Sequence, residues 1–113
     1  MSETSLAASR LIVTDIHTAD LEVDVPVAGE PATSTTTLGA LGEVGVGAWQ
    51  IEPGTAADTE VDELFVVLSG RGTVEFEDGS TIDLAPGVVV RLRSGDTTRW
   101  EITEALRKVY VSR

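Results

Sequence analysis

The second half of the chain alternates apolar and polar side chains with the two-residue period that is typical of β-strands. The alternation is clearest at 44–51 and 73–77, and an apolar run rich in Val and Leu occupies 63–68. Asp78-Gly79 predicts a tight hairpin turn, because such turns strongly prefer this pair. The same signals predict further strands at 81–84, 88–92, 97–102 and 107–111, the last two joined by a turn at 103–106. About seven or eight short strands with turns between them indicate an all-β sandwich or barrel.

The N-terminal part of the chain carries weaker signals. Apolar and branched residues predict short strands at 11–13 and 21–27, and residues 5–9 could form one helical turn. The stretch 29–42 is rich in Thr, Gly, Pro and Ala, which favours a long connection with a short extended piece at 35–38.

The chain length of 113 residues fits one domain, which can bury a core without disulfide bonds or a structural metal. The difference between the two patterns divides this domain into two parts. We expect residues 1–42 to form an N-terminal extension, with one or two strands that pack on the barrel. We expect residues 43–113 to form the barrel core.

The composition limits the chemistry that the chain can perform. It has no cysteine and one histidine, His17, so it cannot supply thiolate sites or the several imidazoles of most transition-metal centres. The formal net charge of -11, from 19 acidic and 8 basic residues, disfavours nucleic acids and anionic membrane surfaces as partners. The sequence contains no apolar run of membrane-spanning length and no secretory leader pattern, which predicts a cytoplasmic protein.

Five segments of the C-terminal part carry motifs in a specific order and spacing. They are Gly47–Gly54, Asp62–Gly70, Leu84–Gly87, Ser94–Gly95 and Thr98–Tyr110. Together they resemble the cupin superfamily, in particular the small cupins grouped with the (S)-ureidoglycine aminohydrolase cupin domain family. That group is itself similar to the ethanolamine-utilisation cupin. The resemblance covers residues 43–113 and implies a double-stranded β-helix, a jelly-roll barrel with an interior pocket, often assembled as a homodimer.

The same resemblance shows which metal ligands are missing. In metal-holding cupins, six residues lie between a motif glutamate and a glycine, and Glu63 and Gly70 have this spacing. At the positions of the cupin histidines, this chain has Ala-Ala-Asp-Thr at 56–59 and Thr98. Ala and Thr cannot replace the neutral imidazoles that hold iron, manganese, nickel or zinc. We therefore expect no bound metal and no cofactor, and the missing histidines argue against an enzyme.

The motif places Glu63 inside the barrel, where its carboxylate needs a partner such as an arginine, a threonine or a tyrosine. Thr98 and Trp100 share the strand face that carries the last cupin histidine, so Trp100 would fill the space of a metal. Core packing alone would also account for each aromatic residue. The predicted pocket residues are Trp49, Glu63, Phe65, Arg91, Arg93, Thr98, Trp100 and Tyr110.

Three functions are compatible with this pattern. The first is a metal-free cupin that binds a small polar metabolite, anchored by Glu63 together with Arg91 or Arg93. The second is a ureidoglycine aminohydrolase-like hydrolase, with a divalent metal held by oxygen ligands around Glu63. The third is a structural dimerisation domain with a filled barrel. The acidic cluster at 58–63 is either a solvated loop or a site for a hard cation.

Overall fold

The computed structural model describes residues 5–113, which form one short helix and eight strands. In chain order these are α1 Leu6–Arg10, β1 Glu22–Val23, β2 Thr33–Leu41, β3 Val44–Ile51, β4 Gly54–Thr59, β5 Glu63–Phe76, β6 Thr81–Leu84, β7 Val89–Leu92 and β8 Thr97–Ser112. Every strand pair is antiparallel, and all eight strands belong to one sheet. The predicted all-β fold class is confirmed.

Two long strands, β5 and β8, form the frame of the barrel. They pair with each other from Glu63 opposite Ser112 to Phe76 opposite Thr98. Each also carries two shorter strands on its other edge: β4 and β3 pair with β8, and β7 and β6 pair with β5. β2 and β1 extend the sheet beyond β3. The two halves of the sheet therefore share β5 and β8 and close over a common core.

A glycine allows the long strands to bend where the two halves meet. The register between β5 and β8 shifts at three points between Val67 and Gly72. Gly70 lies within this stretch and has a φ of 92°. A side chain at Gly70 would be strained by this φ, and its Cβ would collide with the backbone of Ala105.

The core lies between the two halves of the barrel. Its buried members are Ile51, Phe65, Val67, Val74, Leu84, Val90, Leu92, Trp100, Ile102 and Leu106. Side chains alternate between the two faces of β8, and two polar ones, Thr98 and Lys108, point toward this interior and are buried. These two residues place hydrogen-bonding and charged groups inside an otherwise apolar barrel.

The sequence pattern is wrong where strands lack apolar side chains or where a strand bends. It predicts no strand at 54–59, because the residues of β4 are small or polar, yet β4 pairs with β8 along its length. β2 occupies most of the connection predicted at 29–42. The turn predicted at 103–106 is part of the continuous β8. The strand predicted at 11–13 does not form, and β1 is the one strand within 21–27.

The helix α1 matches the helical turn predicted at 5–9. Oγ of Ser5 caps it by accepting a hydrogen bond of 3.1 Å from the backbone N–H of Ala8. Across residues 5–113, no helix has the length and apolar character that crossing a membrane requires.

Arg107 holds the segment before β1 against the barrel. Its guanidinium donates hydrogen bonds to the backbone carbonyls of Ile16 at 3.0 Å and Ala19 at 2.8 Å. A third hydrogen bond, of 3.0 Å, reaches Oε1 of Gln50 on β3. Because successive strand residues point to opposite faces, Arg107 binds this outer segment while the next residue, Lys108, points inward.

Candidate ligand-binding site

The barrel contains an open cavity of about 590 Å³, a volume within the usual range of small-molecule sites. Its lining includes the side chains of Trp49, Glu60, Glu63, Trp100, Lys108 and Tyr110. The small residues Ala56 and Ala57 of β4 also line it, so this side of the barrel contributes little bulk. The cavity thus combines aromatic walls with one ammonium group and four carboxyl groups, because Glu30 and Asp58 also line it.

An ion pair lies in this cavity between β5 and β8. Nζ of Lys108 is 2.6 Å from Oε2 of Glu63, and the side chains are 7% and 12% exposed, respectively. Glu63 begins β5, and Lys108 lies in the last part of β8. The pairing of these two strands brings the two residues close together. A charge-assisted hydrogen bond of this length compensates two charges that would otherwise be costly to bury.

Four aromatic rings surround the same ammonium. Nζ of Lys108 is 4.4 Å from the ring centroid of Phe65, 4.7 Å from that of Trp49, 5.0 Å from that of Trp100 and 5.9 Å from that of Tyr110. All four distances are within the range of about 6 Å for cation–π attraction. Trp49 and Trp100 meet edge to face with their centroids 5.7 Å apart, which fixes two walls of this cage.

Glu60 is the second buried carboxyl group of the cavity, and its partners are neutral. Its Oε2 accepts hydrogen bonds from Oγ1 of Thr98 at 2.7 Å and from Nε1 of Trp100 at 3.2 Å. The backbone of Glu60 exchanges two hydrogen bonds with the turn at Gly95 and Asp96, which holds the residue at the end of β4. Burial raises the pKa of Glu60, and the hydrogen bond from Thr98 opposes this rise. The charge of Asp58 raises the pKa of Glu60 further.

Tyr110 closes one side of the cavity above a glycine. A Cβ atom at Gly47 would overlap the ring and hydroxyl of Tyr110, so the absence of a side chain at Gly47 allows the ring to lie there. Burial raises the pKa of the Tyr110 hydroxyl, and the nearby charges of Glu63 and Asp24 add to this effect. The phenol is therefore a neutral hydrogen-bonding group at physiological pH.

The structure brings most of the predicted pocket residues together. Trp49, Glu63, Trp100 and Tyr110 line the cavity. Phe65 is fully buried against Trp100, and Thr98 is buried and donates a hydrogen bond to Glu60; neither residue is part of the cavity lining.

The two predicted arginine anchors lie elsewhere. Arg91 points outward from β7, where its guanidinium pairs with Asp62 at 3.0 Å on the surface. Arg93 follows β7 and is exposed, with its backbone N–H bonded to Asp96. Strand alternation explains this placement, because the buried neighbours Val90 and Leu92 take the inward positions. His17 is exposed and bonded to Asp15, away from the cavity lining.

Lys108 is not among the predicted pocket residues, and Glu60 is predicted only as a member of the acidic cluster at 58–63. Lys108 is the one lysine of the chain, and it lies between Leu106 and Tyr110 at an inward position of β8. Strand alternation predicts this inward position, because residues two apart on a strand face the same side, and Lys108 is two residues from Leu106 and from Tyr110. Glu60 gave no comparable signal, since its neighbours Asp58 and Asp62 suggest a solvated loop.

The residues in the cavity do not fit a metal ion. Within the part of the chain that the structure describes, no three His, Cys, Asp or Glu side chains are grouped to hold one. Glu63, at the position of the cupin metal glutamate, pairs with Lys108 instead. Ala56 and Ala57 lie in the stretch 56–59, where the cupin resemblance places two histidines, and their side chains have no donor atom for a metal.

Comparison with known proteins agrees with this architecture. Residues 38–110 match the family model described as the EutQ-like cupin domain. A structure from Rhizobium leguminosarum bv. viciae 3841, of unknown function, is 29% identical, with 71% of this chain and 79% of that chain covered and a TM-score of 0.65. The Clostridium difficile EutQ protein is 21% identical, with 73% and 68% covered and a TM-score of 0.63.

A DUF861 family protein from Thermotoga maritima is 27% identical, with 58% of this chain and 76% of that chain covered and a TM-score of 0.55. No curated protein matches the sequence. These likenesses confirm the predicted cupin β-barrel fold. The narrower resemblance to the ureidoglycine aminohydrolase group and the division of the chain at residue 42 stay predictions.

Proposed function

Because the chain belongs to the EutQ-like cupin domain family and its barrel holds an open cavity, we propose that it binds a small polar metabolite without a metal ion. The observation that carries this proposal is the convergence of aromatic walls and buried polar groups on one cavity of ligand size. Trp49, Trp100 and Tyr110 offer ring faces, and Glu60 offers a carboxyl group held in place by two hydrogen bonds.

The charges of the lining favour a ligand that carries an amino group. The ammonium of Lys108 and the carboxylate of Glu63 compensate each other at 2.6 Å. The remaining charged groups of the lining are the carboxyl groups of Glu30, Asp58 and Glu60. A small organic amine would meet these acids and the ring faces together, and both kinds of group attract cations.

The two other functions receive less support. A ureidoglycine aminohydrolase-like hydrolase needs an oxygen-ligated divalent metal, and the described residues do not group three such ligands. A purely structural domain needs a filled barrel, whereas this barrel contains a cavity of about 590 Å³. Metabolite binding is therefore the function that we propose, and we assign no residue a catalytic role.

We also propose that the chain forms a homodimer, as the cupin resemblance implies. Several apolar side chains of the N-terminal segment and β2 are exposed, with Leu11 60%, Ile12 65% and Leu41 78% accessible. Burial of these side chains in a second copy would remove apolar surface from water. Size-exclusion chromatography with light scattering tests this proposal, and a monomer at high concentration would contradict it.

Ligand binding can be tested with matched sets of small molecules. We expect small primary amines to raise the midpoint of thermal unfolding, whereas carboxylates of the same size do not. Asp58→Asn should weaken amine binding by about twofold to fivefold, because it removes one solvent-screened charge from the lining. Glu101→Gln is the control, since Glu101 is exposed on the outer face of β8 and its change alters the net charge equally.

Two results would reject this ligand class. One is a panel in which no amine stabilises the protein or in which anions alone do so. The other is an equal loss of affinity in Asp58→Asn and Glu101→Gln, which would show that binding follows overall charge and not the cavity.

A further inference from the structure

The one lysine of the chain is buried, and its ammonium lies inside the barrel. Lys108 is 5% exposed. Its ammonium is bonded to Glu63 at 2.6 Å, and four ring centroids lie between 4.4 and 5.9 Å from Nζ. Lysines usually keep this group in water, and a buried one requires strong compensation. Here a carboxylate and four ring faces supply that compensation together.

This ammonium also stands beside Glu63, which has the motif position of the glutamate in metal-holding cupins. A divalent ion at Glu63 would meet the charge of Lys108 at close range, and residues 5–113 group no three His, Cys, Asp or Glu side chains that could hold it. Divalent ions need several oxygen or nitrogen ligands, which aromatic rings do not provide. The environment of Glu63 is therefore suited to a monovalent ammonium and unsuited to a metal.

We propose that Glu63 and the rings of Trp49, Phe65, Trp100 and Tyr110 form a site for a primary ammonium, and that Lys108 fills it as the barrel's resident cation. The ammonium of Lys108 takes the place of an external ion. Removal of the Lys108 side chain should therefore leave a vacant site that accepts a free primary alkylammonium. This inference concerns the inner site at Glu63 and does not depend on the metabolite proposed for the rest of the cavity.

Chemical rescue of a truncated lysine tests this site directly. Lys108→Ala removes the atoms beyond Cβ, which correspond to n-propylammonium. We expect n-propylammonium chloride to raise the Tm of Lys108→Ala by about 4 °C at about five times its dissociation constant. The shift in the wild-type protein should be smaller, because Lys108 already occupies the inner site.

Three comparisons define the chemistry of the rescue. Because n-propanol has the same length without the charge, it should rescue little, and manganese chloride should stabilise neither protein. The double variant Lys108→Ala with Glu63→Gln should lose the rescue, since it removes the carboxylate that binds the ammonium. Equal rescue by n-propanol, rescue that survives Glu63→Gln, or stabilisation of the wild type by manganese through Glu63 would overturn the proposal.

A measurement on the wild-type protein covers the case in which Lys108→Ala does not fold. Because the chain has one lysine, labelling with ¹³C-lysine gives one ε-methylene signal in an NMR spectrum. Ring currents from the surrounding aromatic faces should move this signal upfield of its position in the urea-unfolded protein. A signal at the same position in both states would show that Lys108 does not lie in the cage and would reject the inference.

Discussion

Two of the glutamates that line the cavity, Glu60 and Glu63, have neighbouring groups of different kinds. Glu63 meets the ammonium of Lys108, whereas Glu60 meets the hydroxyl of Thr98 and the indole N–H of Trp100. Deleting the partner of Glu63 would leave a buried charge without an opposite charge. Deleting a partner of Glu60 would remove one hydrogen bond. The same residue type therefore makes different demands on the fold, depending on whether charge or hydrogen bonding compensates its burial.

The largest difference should appear when the cation of the Glu63 pair is removed. Lys108→Met keeps most of the side-chain length but leaves Glu63 buried without its charged partner. We expect the free energy of unfolding to fall by about 3–5 kcal/mol, measured by urea denaturation at pH 7. The double variant with Glu63→Gln should recover much of this loss, because it removes the stranded charge. Strictly additive single and double variants would contradict the proposed coupling.

A smaller effect is expected when one neutral donor of Glu60 is removed. Thr98→Val replaces the hydroxyl by a methyl group of similar size and should lower the free energy of unfolding by about 1.5–3 kcal/mol. It should also raise the pKa of Glu60 further, because the hydrogen bond from Thr98 lowers that pKa. Thr97→Val on the exposed face of β8 is the matched control and should change stability by less than about 0.5 kcal/mol. Equal losses in the two variants would contradict the role of Thr98.

The smallest change at neutral pH should come from Glu60→Gln. The amide oxygen can still accept from Thr98 and Trp100, and the variant no longer has a buried carboxylate, so we expect a change within about 1 kcal/mol. Its effect should depend on pH. Since the pKa of Glu60 is raised in the folded protein, its contribution to stability is full below the unfolded-state pKa and is lost as pH rises through the folded-state pKa.

The variant Glu60→Gln lacks this loss, so its stability relative to the wild type should increase as pH rises through that interval. Urea denaturation at a series of pH values measures the difference between the two proteins. The lowered pKa values of the exposed Asp15 and Asp78 affect both proteins alike and cancel in this difference. A difference that does not change with pH would show that Glu60 titrates alike in the folded and unfolded states.

Local patterns in the sequence predict the strands that bury apolar side chains. The alternation at 73–77 and the Asp78-Gly79 turn correspond to the end of β5 and the hairpin to β6. The same patterns do not predict β4, because its inward positions hold the small Ala56 and the polar Asp58 and so carry no apolar stripe. The inward positions predicted for Glu63 and Trp100 come from the cupin resemblance, and both residues line the cavity.

The partners of the cavity acids were harder to predict than their positions. The partner predicted for Glu63 is an arginine, a threonine or a tyrosine, with Arg91 on β7 and Arg93 just after it as the predicted anchors. The actual partner, Lys108, is 45 residues away in sequence and becomes a neighbour through the long pairing of β5 with β8. Thr98 and Glu60 likewise meet across the β4–β8 pairing, 38 residues apart. Pairings of this range depend on the register of whole strands, which composition does not specify.

The inward position of Lys108 has a consequence for reactivity. Every other Lys or Arg residue of the sequence is an arginine, so the outer surface of the barrel has no lysine ammonium. Acyl donors that modify lysine amines would therefore reach their side-chain target through the open cavity, where the bond to Glu63 holds the ammonium. A ligand in the cavity should slow lysine acylation, so the acylation rate should report whether the cavity is occupied.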